Sequence, residues 1–455
     1  MINMKRQRLN KENVSRYTIV VFIVILFIFP GIKQAYNQDR AANTYLDKAL
    51  LAAEWINASA LKIPNGSKVW PADPRALHTV DNNLYAGNPG VILFFLEAYY
   101  STGKKQYLDD ACEGANYLLA AVAHQKEMGL YTGMSGIGFV LWEVFKASGK
   151  EKYRQGADQC IHLIRTSAKR VGEGVQWNSS TDIIYGSAGI GLFLVTMAKE
   201  LKDPTLYDLA AAAGKRLLEP GIRVNKGLKW PMTPDFKRLM PNFAHGTAGV
   251  AYFLATLYKV TKKKEFLDGA LAGAAYLLSI AKKDGDTCLI FHHEPGGEDL
   301  YYLGWCHGPV GTARLFYRLY QVTGDKTWME WVKKSAHSVM NSGIPEKQTP
   351  GFWNNVGRCC GSAGVAEFFL DLYRITNHQK YIAFAKKMTR HLLKKATPQG
   401  KGLKWIQAEH RVRPDLLVAQ TGLMQGAAGI GLWLLKLDAF EKGKKEKISF
   451  PDSPF

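Results

Sequence analysis

With 455 residues, 47% of them hydrophobic and 22% charged, and no low-complexity tract, the chain has the composition of a globular protein with a large core, which excludes disordered and fibrous classes. Its formal charge of +20 rests on scattered lysines (LYKVTKKKEF, AKKMTR, EKGKKEK). A basic solvated surface is the first reading and an anionic lipid, glycan or peptide partner the alternative, while no aromatic-interleaved stripe points to nucleic acid.

At the N-terminus a basic flank (Lys5, Arg6, Arg8, Lys11, Arg16) precedes an uncharged apolar run from Tyr17 to Ile32. The run is short for a membrane span and suits the apolar region of an export signal, retained as an anchor or cleaved. The expectation is a membrane-anchored or secreted, extracytoplasmic protein, with residues 1–35 as flank and signal and residues 36–455 as one domain.

From there to the C-terminus the chain repeats itself. Seven Gly-x-x-Gly units begin at Gly87, Gly133, Gly186, Gly246, Gly308, Gly361 and Gly426, spaced roughly 45 to 65 residues apart, a period that marks a repeat architecture. Each opens a stretch apolar on most sides, such as GVILFFLEAYY or GIGLFLVTMAKE, and such a stretch is a helix buried on most sides. Before each comes a segment starting at Tyr45, Tyr107, Tyr153, Tyr207, Phe266, Trp328 or Tyr381, with apolar residues at i+3, i+4 and i+7, the pattern of a helix wetted on one face. Alternation of the two kinds predicts an all-α fold, an α/α toroid of about seven helix pairs with the apolar set inside. The glycine turns then gather at one end around a central cavity. No strand-rich second domain is evident, and 289–305 and 343–356 are the candidates for short strands or substrate-shaping loops.

The turns differ in chemistry. Turns 1, 2 and 7 (LYAGNPG, LYTGMSG, LMQGAAG) read as unreactive, whereas turn 3 carries Asp182, turn 4 His245, turn 5 Cys306 and His307, and turn 6 Cys359 and Cys360. Three thiols at the same end of neighbouring helices make a suitable shell for Zn²⁺ with a fourth, open position. A disulfide between the adjacent Cys359 and Cys360 is strained, and Cys112, Cys160 and Cys288 fall outside the turns as core residues. His245 reads as an active-site residue or a core histidine, and Asp182 as its acidic partner or a helix cap. His307 reads as a neighbour of the shell, and His292 and His293 as candidates in a substrate loop.

On these motifs the chain resembles the lanthionine synthetase C-like family from about Arg40 onward. Trp305-Cys306-His307-Gly308 matches the family's Trp-Cys-x-Gly motif, and Cys359-Cys360-Gly361 resembles its Cys-His-Gly motif with cysteine in place of histidine. The resemblance implies a zinc held by Cys306, Cys359 and Cys360, made more electron-rich by the third thiolate. It implies catalytic roles for His245 of FAHGTAG and Asp182 of DIIYG, and addition of a cysteine thiol to a dehydroamino acid to form a thioether. The basic residue that several cyclases carry shortly before Trp-Cys is absent, since Tyr301, Tyr302, Leu303 and Gly304 stand there. The partner is then a peptide or a small thiol. Two alternatives stay open: binding of a thiol such as glutathione without ring formation, and a glycan-acting α/α barrel, which needs paired carboxylates in the cavity.

Overall fold

A computed structural model describes residues 44–64 and 66–455. Among them are fourteen α-helices. Seven begin at the residue after the first glycine of a Gly-x-x-Gly unit and run 15 residues each: α2 (Asn88–Thr102), α4 (Met134–Ser148), α6 (Ser187–Leu201), α8 (Thr247–Thr261), α10 (Pro309–Thr323), α12 (Ser362–Thr376) and α14 (Ala427–Glu441). The other seven are α1 (Tyr45–Ala58), α3 (Lys105–Ala121), α5 (Glu151–Ser167), α7 (Pro204–Leu218), α9 (Lys264–Ile280), α11 (Lys326–Asn341) and α13 (Gln379–Lys394).

The layers follow from side-chain pattern. In α2 every residue from Asn88 to Ala98 is buried, whereas α5 buries only a stripe of Tyr153, Gly156, Ala157, Cys160, Ile161 and Ile164. The first can sit only between other helices, and the second only on a surface. Accordingly the even-numbered helices contact one another in ring order and α14 closes onto α2. Each inner helix packs most closely on the outer helix that follows it, and α14 on α1, so the first and last helices of the ring join. Six of the seven inner helices end on a residue with positive φ (Gly103, Gly149, Lys202, Lys262, Gly324, Asn377), and the next outer helix starts two residues later. That left-handed cap turns the chain from the inner layer to the outer.

At the other end the turns are tied to each other by backbone hydrogen bonds. Tyr85 N–H donates to the Tyr131 carbonyl (3.1 Å), Tyr131 to Ile184 (3.1 Å), Ile183 to Ala244 (3.2 Å), Ala244 to Cys306 (2.9 Å), Trp305 to Cys359 (2.8 Å), Cys359 to Met424 (2.8 Å) and Met424 back to Tyr85 (2.8 Å). The circle visits all seven turns. Close approach needs glycine here: a Cβ on Gly246 would strike the Met240 carbonyl, and one on Gly249 the Phe243 carbonyl.

The all-α toroid expected from the repeats is the architecture found. Strands occur more widely than expected, because two-stranded hairpins follow five outer helices (Leu61–Lys62 with Lys68–Val69, Lys169–Val171 with Gly174–Gln176, Ile222–Val224 with Gly227–Lys229, Lys282–Asp284 with Thr287–Leu289, Ala396–Gln399 with Gly402–Trp405). Four lead into a tryptophan (Trp70, Trp177, Trp230 and Trp405), and the indole N–H of the last three donates to a carbonyl of the preceding outer helix at 2.6–2.8 Å.

The expected localisation needs correction. The apolar run 17–32 lies outside the described residues, and among those described no helix is long and apolar enough to cross a membrane. The inner helices, 15 residues each, reach about 22 Å against the roughly 30 Å of a bilayer core, and their apolar faces are covered by neighbouring helices. The extracytoplasmic, membrane-held reading is therefore not carried forward.

Candidate functional site

The turn end of the ring holds a cavity of about 490 Å³. Turns 5 and 6, joined by the Trp305–Cys359 backbone bond, bring the Sγ atoms of Cys306, Cys359 and Cys360 within 4.8 Å of one another, all buried, as a group that could hold a metal ion. Cys306 and Cys360 Sγ are 3.3 Å apart, and Cys360 and Cys359 Sγ 3.4 Å. Hydrogen bonding to Cys306 foremost, then to Cys360 and the Tyr85 hydroxyl, holds the Cys359 thiol well below its ordinary pKa. Its hydrogen bond to Cys359 pushes Cys306 up, and its hydrogen bond to Cys306 pushes Cys360 up.

Turns 3 and 4 supply the second group. Asp182 is fully buried; its Oδ1 accepts the backbone N–H groups of Tyr185 (2.9 Å) and Gly186 (2.8 Å), and its Oδ2 lies 2.6 Å from Nδ1 of His245. Asp182 therefore both stabilises its own turn and orients the histidine. With Nδ1 donating to the carboxylate, Nε2 of His245 is left for the cavity, which the ring lines. The ring lies between Tyr185 (5.9 Å between centroids) and His307 (5.6 Å).

His307 and His292 form the adjoining wall, 4.2 Å apart. Burial, with neighbouring His293, Arg411, His245 and Arg238, lowers the His292 pKa to about 4, and burial lowers that of His307 well below its usual value. Both are neutral near pH 7. His293 bonds to His292 (2.8 Å between Nδ1 atoms) and is not among the lining residues. Tyr302 and Trp353 (5.1 Å) complete that wall.

All five residues expected to carry the chemistry thus face or support one cavity. Three further residues were not anticipated. Tyr85, from turn 1, accepts a hydrogen bond from Gln425 Nε2 of turn 7 (3.0 Å), and the same Nε2 lies 3.9 Å from Cys360 Sγ. Turns 1 and 7, read as unreactive, therefore embrace the thiols. Arg411 reaches the cavity from the loop after strand Gln407–Ala408, its Nε 3.4 Å from the Tyr302 hydroxyl. A cation from about a hundred residues downstream thus stands beside Tyr302, three residues before Trp305. Among the described lining residues Glu409 is the one carboxylate.

The family described as lanthionine synthetase C-like protein matches residues 78–450. "Glutathione S-transferase LANCL1" of Danio rerio is 22% identical over 335 residues, covering 70% of this chain and 75% of that protein. Among solved structures, nisin cyclase superposes with a TM-score of 0.58 at 18% identity, covering 80% of this chain and 89% of that one. An α-1,6-mannanase of glycoside hydrolase family 76 from Salegentibacter sp. HEL1_6 gives 0.50 at 14% identity, covering 87% and 99%. At these identities the structural likenesses establish the fold and nothing finer.

Proposed function

The chain belongs to the lanthionine synthetase C-like family, and on that premise we propose that it is a zinc-dependent catalyst of thiol addition to dehydroamino acids, closing or forming thioethers. The observation that carries this reading is the joint placement of three buried thiols and the His245–Asp182 pair on one cavity.

The donor set suits zinc. Thiolate–zinc bonds of about 2.3 Å in a tetrahedron put sulfurs about 3.8 Å apart; Cys360 Sγ stands 3.3 Å from Cys306 Sγ and 3.4 Å from Cys359 Sγ, and all three lie within 4.8 Å of one another, the spacing such a shell needs. Cys306, Cys359 and Cys360, which line the cavity, would hold the ion. A zinc held there would supply a lowered thiol pKa, so that an incoming thiol could react as thiolate at neutral pH.

The chain's own residues do the rest. As the new sulfur–Cβ bond forms, the Cα–Cβ π bond of a dehydroalanine or dehydrobutyrine breaks and its electron pair moves toward the carbonyl. His245 Nε2 returns to Cα the proton that the thiol lost, and Asp182 holds the ring in the required tautomer and stabilises it while the proton is aboard. Tyr302, Trp353 and the neutral His292 and His307 wall the cavity and limit the poses of the two reacting ends.

A second reading keeps the same thiol site but takes a free thiol, such as glutathione, in place of a cysteine within one peptide; the relative named as a glutathione S-transferase favours it. The glycan-acting alternative shares the fold of the mannanase, but its paired carboxylates are not among the described lining residues.

The test is a peptide carrying one dehydroalanine and one cysteine, incubated with the chain and zinc. Loss of alkylatable thiol at unchanged peptide mass, abolished in His245→Ala, supports ring closure; an adduct formed only with added glutathione supports the second reading. No acceleration of either over the peptide alone overturns both.

A further inference from the structure

The residues after α14 run inside the ring. Glu446 pairs with Arg374 of α12 (2.9 Å) and Lys436 of α14 (3.3 Å), and the Glu97 carboxylate of α2 accepts the N–H groups of Lys447 (3.0 Å) and Ile448 (3.1 Å). Glu97 and Arg374 lie roughly nine and twelve residues past their helix starts, about 14 and 18 Å from the turns. The chain then rises along the axis. Phe450 packs on Phe139 of α4 (5.9 Å), the Arg358 guanidinium covers its ring at 4.1 Å, and Asp452, 1% exposed, receives Arg314 Nη1 on its carbonyl (2.9 Å) and on Oδ2 (3.2 Å). It turns back down at Pro454, whose carbonyl accepts Gln321 Nε2 (2.9 Å), and Phe455 stacks on Tyr317 (4.9 Å).

The tip of this inserted loop lies directly beneath the thiol turns. Asp452 shares a void of about 10 Å³ with Tyr131, Trp305, Arg314, Arg358 and Met424. Trp305 immediately precedes Cys306, Arg358 precedes Cys359, and Met424 precedes Gln425. Arg358 is clamped by Glu367 in a two-pronged pair (2.8 and 2.9 Å) on one side and by the Phe450 ring on the other. Arg314 lies on α10, the helix that Cys306 leads into, and Asp452 is the carboxylate it pairs with. Two buried guanidiniums that flank the thiol turns thus take part of their compensation from the loop, and a buried cation deprived of its partner has to move or hydrate.

We propose that Phe450 and Asp452 are positioning residues for the thiol site, fixing from below the turns that carry Cys306 and Cys359. The loop Glu446–Phe455 is a stopper that closes the axis opposite the cavity mouth and makes the geometry of the thiols depend on a segment remote from them in sequence. The metal readout of its test rests on the proposed zinc site; the thiol readout does not.

The test uses the full chain carrying Asp452→Asn or Phe450→Leu, with Phe455→Ala as a variant of the same loop away from the turns. Two quantities are read: Co²⁺ affinity from thiolate charge-transfer absorption, and the rate at which the metal-free thiols react with an aromatic disulfide. Asp452→Asn and Phe450→Leu are expected to weaken Co²⁺ binding at least about tenfold and to speed thiol modification comparably, while Phe455→Ala changes either by less than about twofold, as for loss of a residue that orients metal ligands. Wild-type affinity and thiol rate in both tip variants overturn the proposal, as does an equal change in Phe455→Ala, which would mark general loosening. If Asp452→Asn does not fold, the uncharged Phe450→Leu decides. If the wild type itself binds no Co²⁺, the zinc reading fails and the thiol rates alone decide this one.

Discussion

Replacing Asp182 by asparagine isolates the orienting role of the carboxylate. The two backbone N–H groups of Tyr185 and Gly186 both point at Oδ1, so the amide oxygen of the introduced side chain must take that place and its NH₂ must face His245. Nδ1 then becomes an acceptor, the proton moves to Nε2, and the 2.6 Å contact with a carboxylate becomes a neutral hydrogen bond. A hydrogen bond to a charged group contributes about 1.5–3 kcal/mol, and each 1.36 kcal/mol is about tenfold in rate, so kcat for thiol addition should fall roughly ten- to hundredfold. Because both backbone bonds survive, thermal stability should hardly change. Initial rates of thiol loss with a dehydroalanine peptide, beside a melting curve, measure both. Full activity in a folded Asp182→Asn would refute the assigned role and leave Asp182 as a structural element of its turn.

Other consequences are open to direct measurement. Tyr85→Phe removes the hydroxyl that joins Gln425 and Cys359, and zinc affinity measured against a competing chelator should drop roughly tenfold without loss of fold; unchanged affinity would mean the hydroxyl does not support the thiols. Glu97, its carboxyl pushed up to about 7 chiefly by burial, with Glu446 and Glu143 adding and the Lys447 and Ile448 N–H groups opposing, has a folded value above its unfolded one. Its contribution to stability is therefore full below the unfolded value and is lost as pH rises through about 7. Relative to Glu97→Gln, wild type should lose on the order of 3 kcal/mol between about pH 5 and pH 8, and paired melting curves that keep a constant separation over that range would contradict the assignment.

Much of the fold was legible because its signal is local and repeated. Each inner helix announces itself by glycine followed by an all-round apolar run, and the outer helices by a one-sided stripe. Asp182, His245 and the three cysteines were legible for the same reason, since they occupy equivalent places just before a glycine pair. What escaped depends on the direction of a side chain or on distant parts of the chain. Tyr85 and Tyr131 hold the same position in LYAG and LYTG, yet the first meets Cys359 and the second lies under the ring beside Asp452; nothing in the repeat distinguishes them. Arg411 comes from a loop that only tertiary packing sets against Tyr302. The short hairpins 169–176 and 222–229 carry too few residues to show an alternating pattern. Phe450 and Asp452 follow the last repeat in a stretch with no periodicity, and their place in the axis follows from Arg314 and Arg358 having to find partners inside the ring.

Whether the thiol cluster holds a zinc ion is read from the metal content of the full chain purified under reducing conditions, beside Cys306→Ala and Cys359→Ala. About one zinc per wild-type chain is expected, as for a single three-thiolate site, lost in both variants. A wild-type chain without zinc, or variants that retain it in full, would contradict it.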